Sequence, residues 1–190
     1  MYIINEVKGE DYHAYVIGDV VRNIDSYKPH SWFADFARNF NYKHDAHSQY
    51  ILRQYNAGPQ VQEITNEITQ DLITLFGSNW IPEGVRASTG LQELINEPNS
   101  SQFRAAVPPH MDAGHFCGFT IFLNKEWKVE WGGWNYILSA KENKVIMSTS
   151  PTFNTGVLIM TPCYHGACPV WETKARRTIQ IFYTYKNDEN

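Results

Sequence analysis

The second half of this chain, from about residue 83 onward, is a series of short stretches rich in β-branched and aromatic residues. Glycine, proline and asparagine separate the stretches, and these residues mark turns between strands. The stretches cover residues 102–107, 116–123, 133–139, 144–149, 155–161 and 176–185. Many short strands joined by turns predict a β-sandwich or a jelly roll, so we expect a mainly β core over residues 83–190.

The N-terminal part of the chain, over positions 1–82, has a mixed pattern, which predicts a support region of helices and strands. The clearest element is a helix over residues 61–76, where an apolar stripe recurs at helical spacing and Gly77 follows. Apolar residues at helical spacing after Ser31 predict a second helix over residues 31–40. Two further segments are predicted to be strands, residues 12–21 and 49–55. We therefore expect one domain over residues 1–190, with N-terminal helices packed on one sheet of the jelly roll.

The composition narrows the partners that the protein can have. The formal net charge is −4 and the basic residues form no block, so no nucleic acid partner is expected. The apolar runs are short and interrupted, so no membrane partner is expected either. The first residues lack the basic start and apolar stretch of a signal peptide, and we expect a cytoplasmic protein. The oligomeric state is left open.

His110 and Asp112 form the first part of a candidate metal site. In an extended segment residues i and i+2 point to the same face, so both side chains can bind one ion. Pro108 and Pro109 stiffen the approach, and Gly114 allows the chain to turn afterwards. The spacing alone is weak evidence, because about 0.3 such pairs are expected by chance in a chain of this composition.

His165 is the third candidate ligand. It follows the apolar run 157–164, which is typical of a buried strand that carries a polar residue at its end. Two imidazoles and one carboxylate can bind one face of an octahedral metal, as in non-haem Fe(II) oxygenases. Mixed nitrogen and oxygen ligands also suit a catalytic metal better than a structural zinc. The three residues therefore predict an Fe(II) site with positions open for a cosubstrate and for dioxygen.

Two other groups of residues could bind a metal. Cys163 and Cys168 flank His165, but no second ligand pair follows at zinc-finger spacing, and buried thiols are the better interpretation. His44 and His47 could share one face of a helix, yet their segment is polar and offers no third ligand. We interpret that segment as a solvated loop. The odd number of cysteines also argues against a disulfide framework.

Five sequence blocks follow one another through the second half of the chain. They are Pro109–Asp112; Phe119–Trp127, which contains Leu123 and Asn124; Trp131–Gly133; Pro151–Asn154 followed by Gly156–Met160; and His165 with Pro169, Val170 and Arg176–Thr178. In this order, over roughly residues 103–185, the chain resembles the Fe(II)/2-oxoglutarate-dependent dioxygenase superfamily, and within it the prolyl-hydroxylase-like branch. The part of the chain before Ile81 matches no motif of that family.

The resemblance implies a double-stranded β-helix, that is, a jelly roll, flanked by N-terminal helices. It implies that the three candidate ligands bind Fe(II), and that Arg176 pairs with the C5 carboxylate of 2-oxoglutarate, with Thr178 nearby on the same strand face. Elementary electrostatics agrees, since a guanidinium inside a barrel is a costly unpaired charge unless an anion meets it. Because strand register decides which side chain points inward, Arg177 remains the alternative.

The activity implied by the resemblance is hydroxylation of a prolyl or other residue of a protein or peptide, with decarboxylation of 2-oxoglutarate to succinate. The alternative substrate is a small molecule: a free amino acid, a nucleoside or a sugar. A cupin-like metal protein is disfavoured by Asp112, where histidine is usual. A non-catalytic jelly-roll binding module is disfavoured by the complete ligand set together with Arg176. No catalytic residue is predicted beyond the metal centre.

Two positions depart from the family pattern. Phe122 stands where a tyrosine often contacts the cosubstrate, with Thr120 or Thr178 as candidate substitutes. Trp134 replaces a usual acidic residue. Both departures leave the three candidate metal ligands intact and bear on the predicted substrate. Four aromatic residues are expected near the mouth of the site as a candidate substrate groove: Trp127, Trp131, Trp134 and Tyr136.

Overall fold

A computed structural model describes residues 1–34, 36–45, 48–95, 106–171 and 174–185. Within these ranges the chain forms twelve strands and one α-helix. The elements are β1 Tyr2–Lys8, β2 His13–Gly18, β3 Phe36–Asp45, β4 Ser48–Tyr55, α1 Pro59–Phe76, β5 Val85–Leu94, β6 Val107–His110, β7 His115–Phe122, β8 Asn135–Ser139, β9 Lys144–Thr149, β10 Gly156–Met160, β11 Tyr164–Ala167 and β12 Arg176–Tyr185.

The strands form two antiparallel sheets. The large sheet has eight strands in the order β1-β2-β10-β7-β12-β5-β4-β3, and the small sheet has four in the order β6-β11-β8-β9. Many neighbouring strands are distant in sequence, which is the connectivity expected of a jelly roll. The two longest pairings of the last strand, β12 with β5 and β12 with β7, place it inside the large sheet.

Two hydrophobic clusters cover the two faces of the large sheet. The larger one joins the apolar stripe of α1, which includes Ile68 and Leu72, to buried residues of β5, β7 and β12. The smaller one lies between the sheets and joins Phe122 and Val157 of the large sheet to Ile137 of the small sheet. The second cluster therefore closes part of the space between the sheets, and the remainder of that space is available for a site.

Most of the predicted elements are confirmed. Helix 61–76 is α1, which begins two residues earlier because a proline fits the first helical turn. The strands predicted at 12–21 and 49–55 are β2 and β4, and five of the six predicted in the second half are β7 to β10 and β12. Only the end of the sixth segment, 102–107, lies within the described residues, where β6 starts at Val107.

The helix predicted over residues 31–40 is wrong. Pro29–Ala34 is a short 3₁₀ turn, and the strand β3 begins at Phe36. The apolar spacing arises because Trp32 is buried in the large cluster, where its indole N–H donates to Gln60, and not because a helix continues. Pairing along β4 then overrides the local helix propensity.

The expected set of N-terminal helices is corrected as well. The chain up to Tyr55 contributes four strands, β1 to β4, to the large sheet, and α1 is the one α-helix among the described residues. Strands β1, β5 and β11 were also absent from the expectations. In the parts of the chain that the structure covers, no helix is long and apolar enough to cross a membrane.

We predict that Leu72→Ala lowers the free energy of unfolding by about 2–5 kcal/mol, because Leu72 is fully buried between α1 and the sheet. Gln70→Ala, on the exposed face of the same helix, is the matched control and should change it by less than about 0.5 kcal/mol. Urea denaturation monitored by tryptophan fluorescence measures both. Equal effects of the two substitutions would contradict the packing of α1.

Candidate metal centre

His110, Asp112 and His165 are brought together by the pairing of two short strands. His110 is the last residue of β6, and His165 lies on β11 directly opposite it in the antiparallel ladder. Their ring centroids are 4.4 Å apart. Asp112 follows His110 by two positions, so its side chain returns to the same side of the strand. One rung of the small sheet thus joins two histidines that lie far apart in the sequence.

The ligand atoms of the three residues point at one another without bonding to one another. The Asp112 carboxylate lies 3.6 Å from Nε2 of His110 and 3.5 Å from Nε2 of His165, both long for a hydrogen bond. One ligand atom from each residue falls within 4.8 Å of the other two. Ligand atoms about 2.1 Å from a shared ion lie roughly 3–4 Å apart, so the group fits one metal ion.

Backbone carbonyls fix the orientation of both imidazoles. Nδ1 of His110 lies 2.9 Å from the carbonyl oxygen of Pro108, and Nδ1 of His165 lies 3.0 Å from that of Cys163. Each Nδ1–H can donate to its carbonyl, which leaves the Nε2 lone pair free to bind a metal. Burial, with the nearby His110 ring, lowers the pKa of His165, and this favours the neutral, metal-binding form.

The rival metal sites are not assembled in the described part of the chain. The sulfur of Cys168 accepts the backbone N–H of Trp134 at 3.1 Å, and Cys163 is a buried thiol whose pKa is raised by burial. The one group of three possible ligand residues there is the His110, Asp112 and His165 triad. The His44 and His47 side chains lie outside the described residues.

A cavity of about 310 Å³ is lined by residues of both sheets, including the triad and Arg176. Along its β12 wall, Arg176 lies at one end, and Phe182 lies at the other end beside Gly118 and the Asp112 carboxylate. The histidine end is open, since the side chain of His110 is 42% exposed. The arginine end is closed, since Arg176 is 4% exposed. The remaining wall residues come from both sheets: Gln54, Gln92, Val107, Pro108, Thr120, Asn135, Ile159, Gly166, Ala167 and Gln180.

Arg176 is a buried cation without an anionic partner among the described residues. Its Nη2 donates to the side-chain oxygen of Asn135, and its guanidinium lies 5.0 Å from the centre of the Phe122 ring. Its Nε has no hydrogen-bond partner. Burial lowers the pKa of Arg176 from 12.5 to about 10, so the side chain stays charged at neutral pH. A buried charge without a counter-charge costs free energy unless an anionic ligand binds to it.

Arg177 points to the opposite face of the large sheet. Its Nε donates to Glu93 at 2.7 Å, and Glu93 also accepts the hydroxyl of Tyr55. Arg177 is absent from the cavity wall. Alternation along β12 therefore aims Arg176, and not Arg177, between the sheets.

Asn124 fixes the start of β12 on both sides of Arg176. Its amide nitrogen donates to the carbonyl of Ala175, and its amide oxygen accepts the backbone N–H of Arg177, each at 2.8 Å. The side chain thus acts as one more rung of the β7–β12 ladder beyond the end of β7. Gly133 lies against the aliphatic stem of Arg176, and a Cβ there would lie 3.1 Å from its Cδ. The Leu-Asn and Gly-Gly motifs therefore both support the position of Arg176.

Thr178 is not part of the cavity wall. Its hydroxyl accepts the Gln180 amide at 3.1 Å, and the residue is fully buried. Gln180 and Thr120 form the wall instead, joined by a hydrogen bond of 2.8 Å between their side chains. Gln180 and Asn135 were not predicted as wall residues, although their inward positions follow from strand alternation once the register is known. Thr120 was considered only as a substitute for the missing tyrosine.

The four aromatic residues of the candidate groove also lie outside the cavity wall. Trp127 donates its indole N–H to Gly132, Trp134 donates to Val129, and the Tyr136 hydroxyl donates to Val107. Trp131 packs edge-on against Trp127, with ring centroids 5.6 Å apart. All four are half-buried and pack locally, so a role in substrate binding stays a prediction.

Two solved prolyl hydroxylases superpose on this chain over most of its length. A prolyl hydroxylase of Trichoplax adhaerens, in complex with a peptide of the hypoxia-inducible factor oxygen degradation domain, superposes with a TM-score of 0.65 at 13% identity. The match covers 91% of this chain and 84% of that chain. A prolyl-4-hydroxylase of Pseudomonas putida gives 0.61 at 10% identity, with 92% and 93% covered.

The chain has the fold of the 2-oxoglutarate-dependent oxygenases. A third structure extends the likeness beyond hydroxylases: the non-haem α-ketoglutarate-dependent epimerase SnoN of nogalamycin biosynthesis, with a TM-score of 0.58, 10% identity and coverage of 93% and 82%. No protein-family profile matches the sequence, and no curated protein matches it. The likeness is therefore one of fold, as the jelly-roll prediction expected.

We predict that His110→Ala, Asp112→Ala and His165→Ala each weaken the binding of a divalent metal by more than about 100-fold. In other metal sites, removing a residue that hydrogen-bonds to a metal ligand lowers the metal affinity by about 10- to 100-fold. Removing a ligand itself is expected to lower it further. Calorimetric titration with Mn(II) or anaerobic Fe(II) measures the affinity. His115→Ala is the matched control, because His115 bonds to Thr184 and lies outside the triad. An unchanged affinity in the triad variants would exclude this centre.

Proposed function

We propose that the protein is an Fe(II)- and 2-oxoglutarate-dependent oxygenase that oxidises a substrate while decarboxylating 2-oxoglutarate to succinate. One observation carries the proposal: a His-Asp-His triad and a buried, unneutralised arginine face the same cavity, between the sheets of an oxygenase fold. A triad alone would suit many metalloproteins, and a buried arginine alone would suit many anions. Together they match a metal and a carboxylate-bearing cosubstrate that must bind side by side.

The donor set fits Fe(II). Two neutral imidazole nitrogens and one carboxylate oxygen suit a divalent iron, and three protein ligands leave room for other ligands. Fe(II), when bound, supplies the activation of dioxygen and the oxidation of the substrate. The residues of the chain hold the metal in a fixed orientation, through the carbonyls of Pro108 and Cys163.

Arg176 fits the distal carboxylate of 2-oxoglutarate. The unpartnered Nε and the charge of the guanidinium call for an anion, and a carboxylate can accept two parallel hydrogen bonds from it. Phe122, in the place of the usual tyrosine, supports the guanidinium with the face of its ring and offers no hydrogen bond. Thr120 and Gln180 supply the neutral polar groups of the wall between Arg176 and the metal ligands.

We propose a prolyl or other residue of a protein or peptide as the substrate. The support is the likeness to two prolyl hydroxylases, one of them solved with a peptide, and the open histidine end of the cavity. A small-molecule substrate is the second candidate, favoured by the comparable likeness to an epimerase of nogalamycin biosynthesis. Fold alone does not choose between the two.

We expect the wild-type protein to form succinate slowly from 2-oxoglutarate when it is loaded with Fe(II) anaerobically and then exposed to air. Arg176→Ala should raise the KM for 2-oxoglutarate by about 10- to 100-fold, because it removes charge-assisted hydrogen bonds worth about 1.5–3 kcal/mol. Arg177→Lys is the matched control, since it keeps a positive charge beside Glu93 on the far face of the sheet. Its KM should stay within about twofold of that of the wild type.

Succinate detected by mass spectrometry is the readout, and a screen of peptides and small molecules for stimulated turnover then separates the two substrate classes. Absence of succinate formation together with absence of anaerobic Fe(II) and 2-oxoglutarate binding would exclude the oxygenase function. A KM that rises in Arg177→Lys and not in Arg176→Ala would show that the carboxylate is assigned to the wrong arginine.

A further inference from the structure

One side chain of the small sheet controls how Arg176 can meet an anion. Asn135 is the first residue of β8, whereas Arg176 is the first residue of β12 in the large sheet. The side-chain oxygen of Asn135 accepts a hydrogen bond from Nη2 of Arg176, and this bond ties the two sheets together. Asn135 is 6% exposed and lines the same cavity as the metal triad.

We propose that Asn135 is a positioning and specificity-determining residue: it orients the Arg176 guanidinium while leaving its charge unneutralised. The cavity thereby selects a 2-oxo acid that carries a second carboxylate over one that does not. This inference rests on the proposed function, and it assigns to a neutral residue the selectivity that Arg176 alone would not secure.

The charges of the cavity wall show why the neutral side chain of Asn135 matters for anion binding. Among the described wall residues, Asp112 is the one carboxylate and Arg176 the one arginine or lysine. Asp112 lies with the histidines at the open end, within 3.6 Å of both rings. The closed end therefore carries an unopposed positive charge, and the residue that touches this charge is an amide.

An aspartate at position 135 would have nearly the same shape as asparagine, but it would neutralise the charge of Arg176 that asparagine preserves. It could accept the same hydrogen bond from Arg176, but a buried arginine–carboxylate pair is a strong internal ion pair. The aspartate carboxylate would then neutralise the positive charge of Arg176, which a ligand carboxylate needs for binding. An amide oxygen accepts a hydrogen bond with only a partial charge, so the guanidinium keeps its net charge for the ligand.

The remaining contacts of Arg176 fix its position without supplying a counter-charge. The Phe122 ring lies 5.0 Å from the guanidinium carbon, and Gly133 leaves space for the aliphatic stem. Nε has no partner. Of the hydrogen bonds described for this guanidinium, the one to Asn135 sets its rotation, so a change at position 135 alters both the orientation and the effective charge of Arg176.

The test compares the affinity of the Fe(II)-loaded protein, under anaerobic conditions, for 2-oxoglutarate and for 2-oxopentanoate. The second acid has the same five-carbon chain and lacks the distal carboxylate. We expect Asn135→Asp to weaken 2-oxoglutarate binding by about 10- to 100-fold, to leave 2-oxopentanoate binding within about twofold, and so to abolish the selectivity. Titration calorimetry measures both affinities without turnover.

Two comparison variants separate charge from packing. Asn135→Ala removes the acceptor and adds no charge, so 2-oxoglutarate affinity should fall by only about 3- to 10-fold and the preference for it should persist. Asn143→Asp makes the same change of charge on an exposed turn between β8 and β9, at a left-handed position that aspartate tolerates. It should leave both affinities unchanged. Metal affinity and thermal unfolding are recorded for every variant.

The possible results distinguish this inference from the proposed function. If the wild type binds 2-oxoglutarate selectively and Asn135→Asp keeps that selectivity, the role of Asn135 is overturned and the proposed function stands. An equal loss of both acids with intact metal binding would make Asn135 a packing residue and would also overturn it. If Asn135→Asp does not fold, unchanged affinities in Asn135→Ala overturn it instead. A wild type that binds neither acid overturns both proposals.

Discussion

The charge of Arg176, buried between two sheets, is the constraint on which the rest of the site depends. A guanidinium that is 4% exposed would be expelled or neutralised in most protein interiors. Here an amide, an aromatic ring and a glycine hold it in place, and none of them supplies a counter-charge. The uncompensated charge therefore destabilises the ligand-free protein, and a small anionic ligand can offset this cost. The charge lies at the far end of a cavity that begins at the candidate metal centre.

The two ends of the cavity are set by different strand pairings. The metal triad depends on the short β6–β11 pair of the small sheet, and Arg176 depends on the long pairings of β12 inside the large sheet. The contact between Asn135 and Arg176 joins the sheets at the closed end. The distance between metal and anion thus follows from how the two sheets stack, and the backbone register selects which side chains face the cavity.

The fold could be predicted from the sequence more completely than the site, since Thr178 and the four predicted groove residues lie outside the cavity wall. His110, Asp112 and His165 were predictable because residue types with metal-binding chemistry stood at the ends of recognisable strands. Arg176 was expected from the family resemblance with Arg177 as the alternative, and the observed register of β12 separates the two. The partners of Arg176 could not be predicted. Asn135 contacts it from the other sheet, and Phe122 contacts it from the neighbouring strand β7, and sequence spacing predicts neither contact. The helix expected over 31–40 failed because antiparallel pairing with the next strand, β4, decided the structure from Phe36 onward.

A crystal structure of the protein grown anaerobically with Fe(II) and 2-oxoglutarate tests the assembled site most directly. We expect metal density, with anomalous signal at the iron edge, bounded by Nε2 of His110, Nε2 of His165 and the carboxylate of Asp112. We also expect the distal carboxylate of 2-oxoglutarate to accept hydrogen bonds from Arg176, with Asn135 still bonded to the same guanidinium. Iron bound elsewhere, or 2-oxoglutarate turned away from Arg176, would contradict the link between the buried charge and the metal centre.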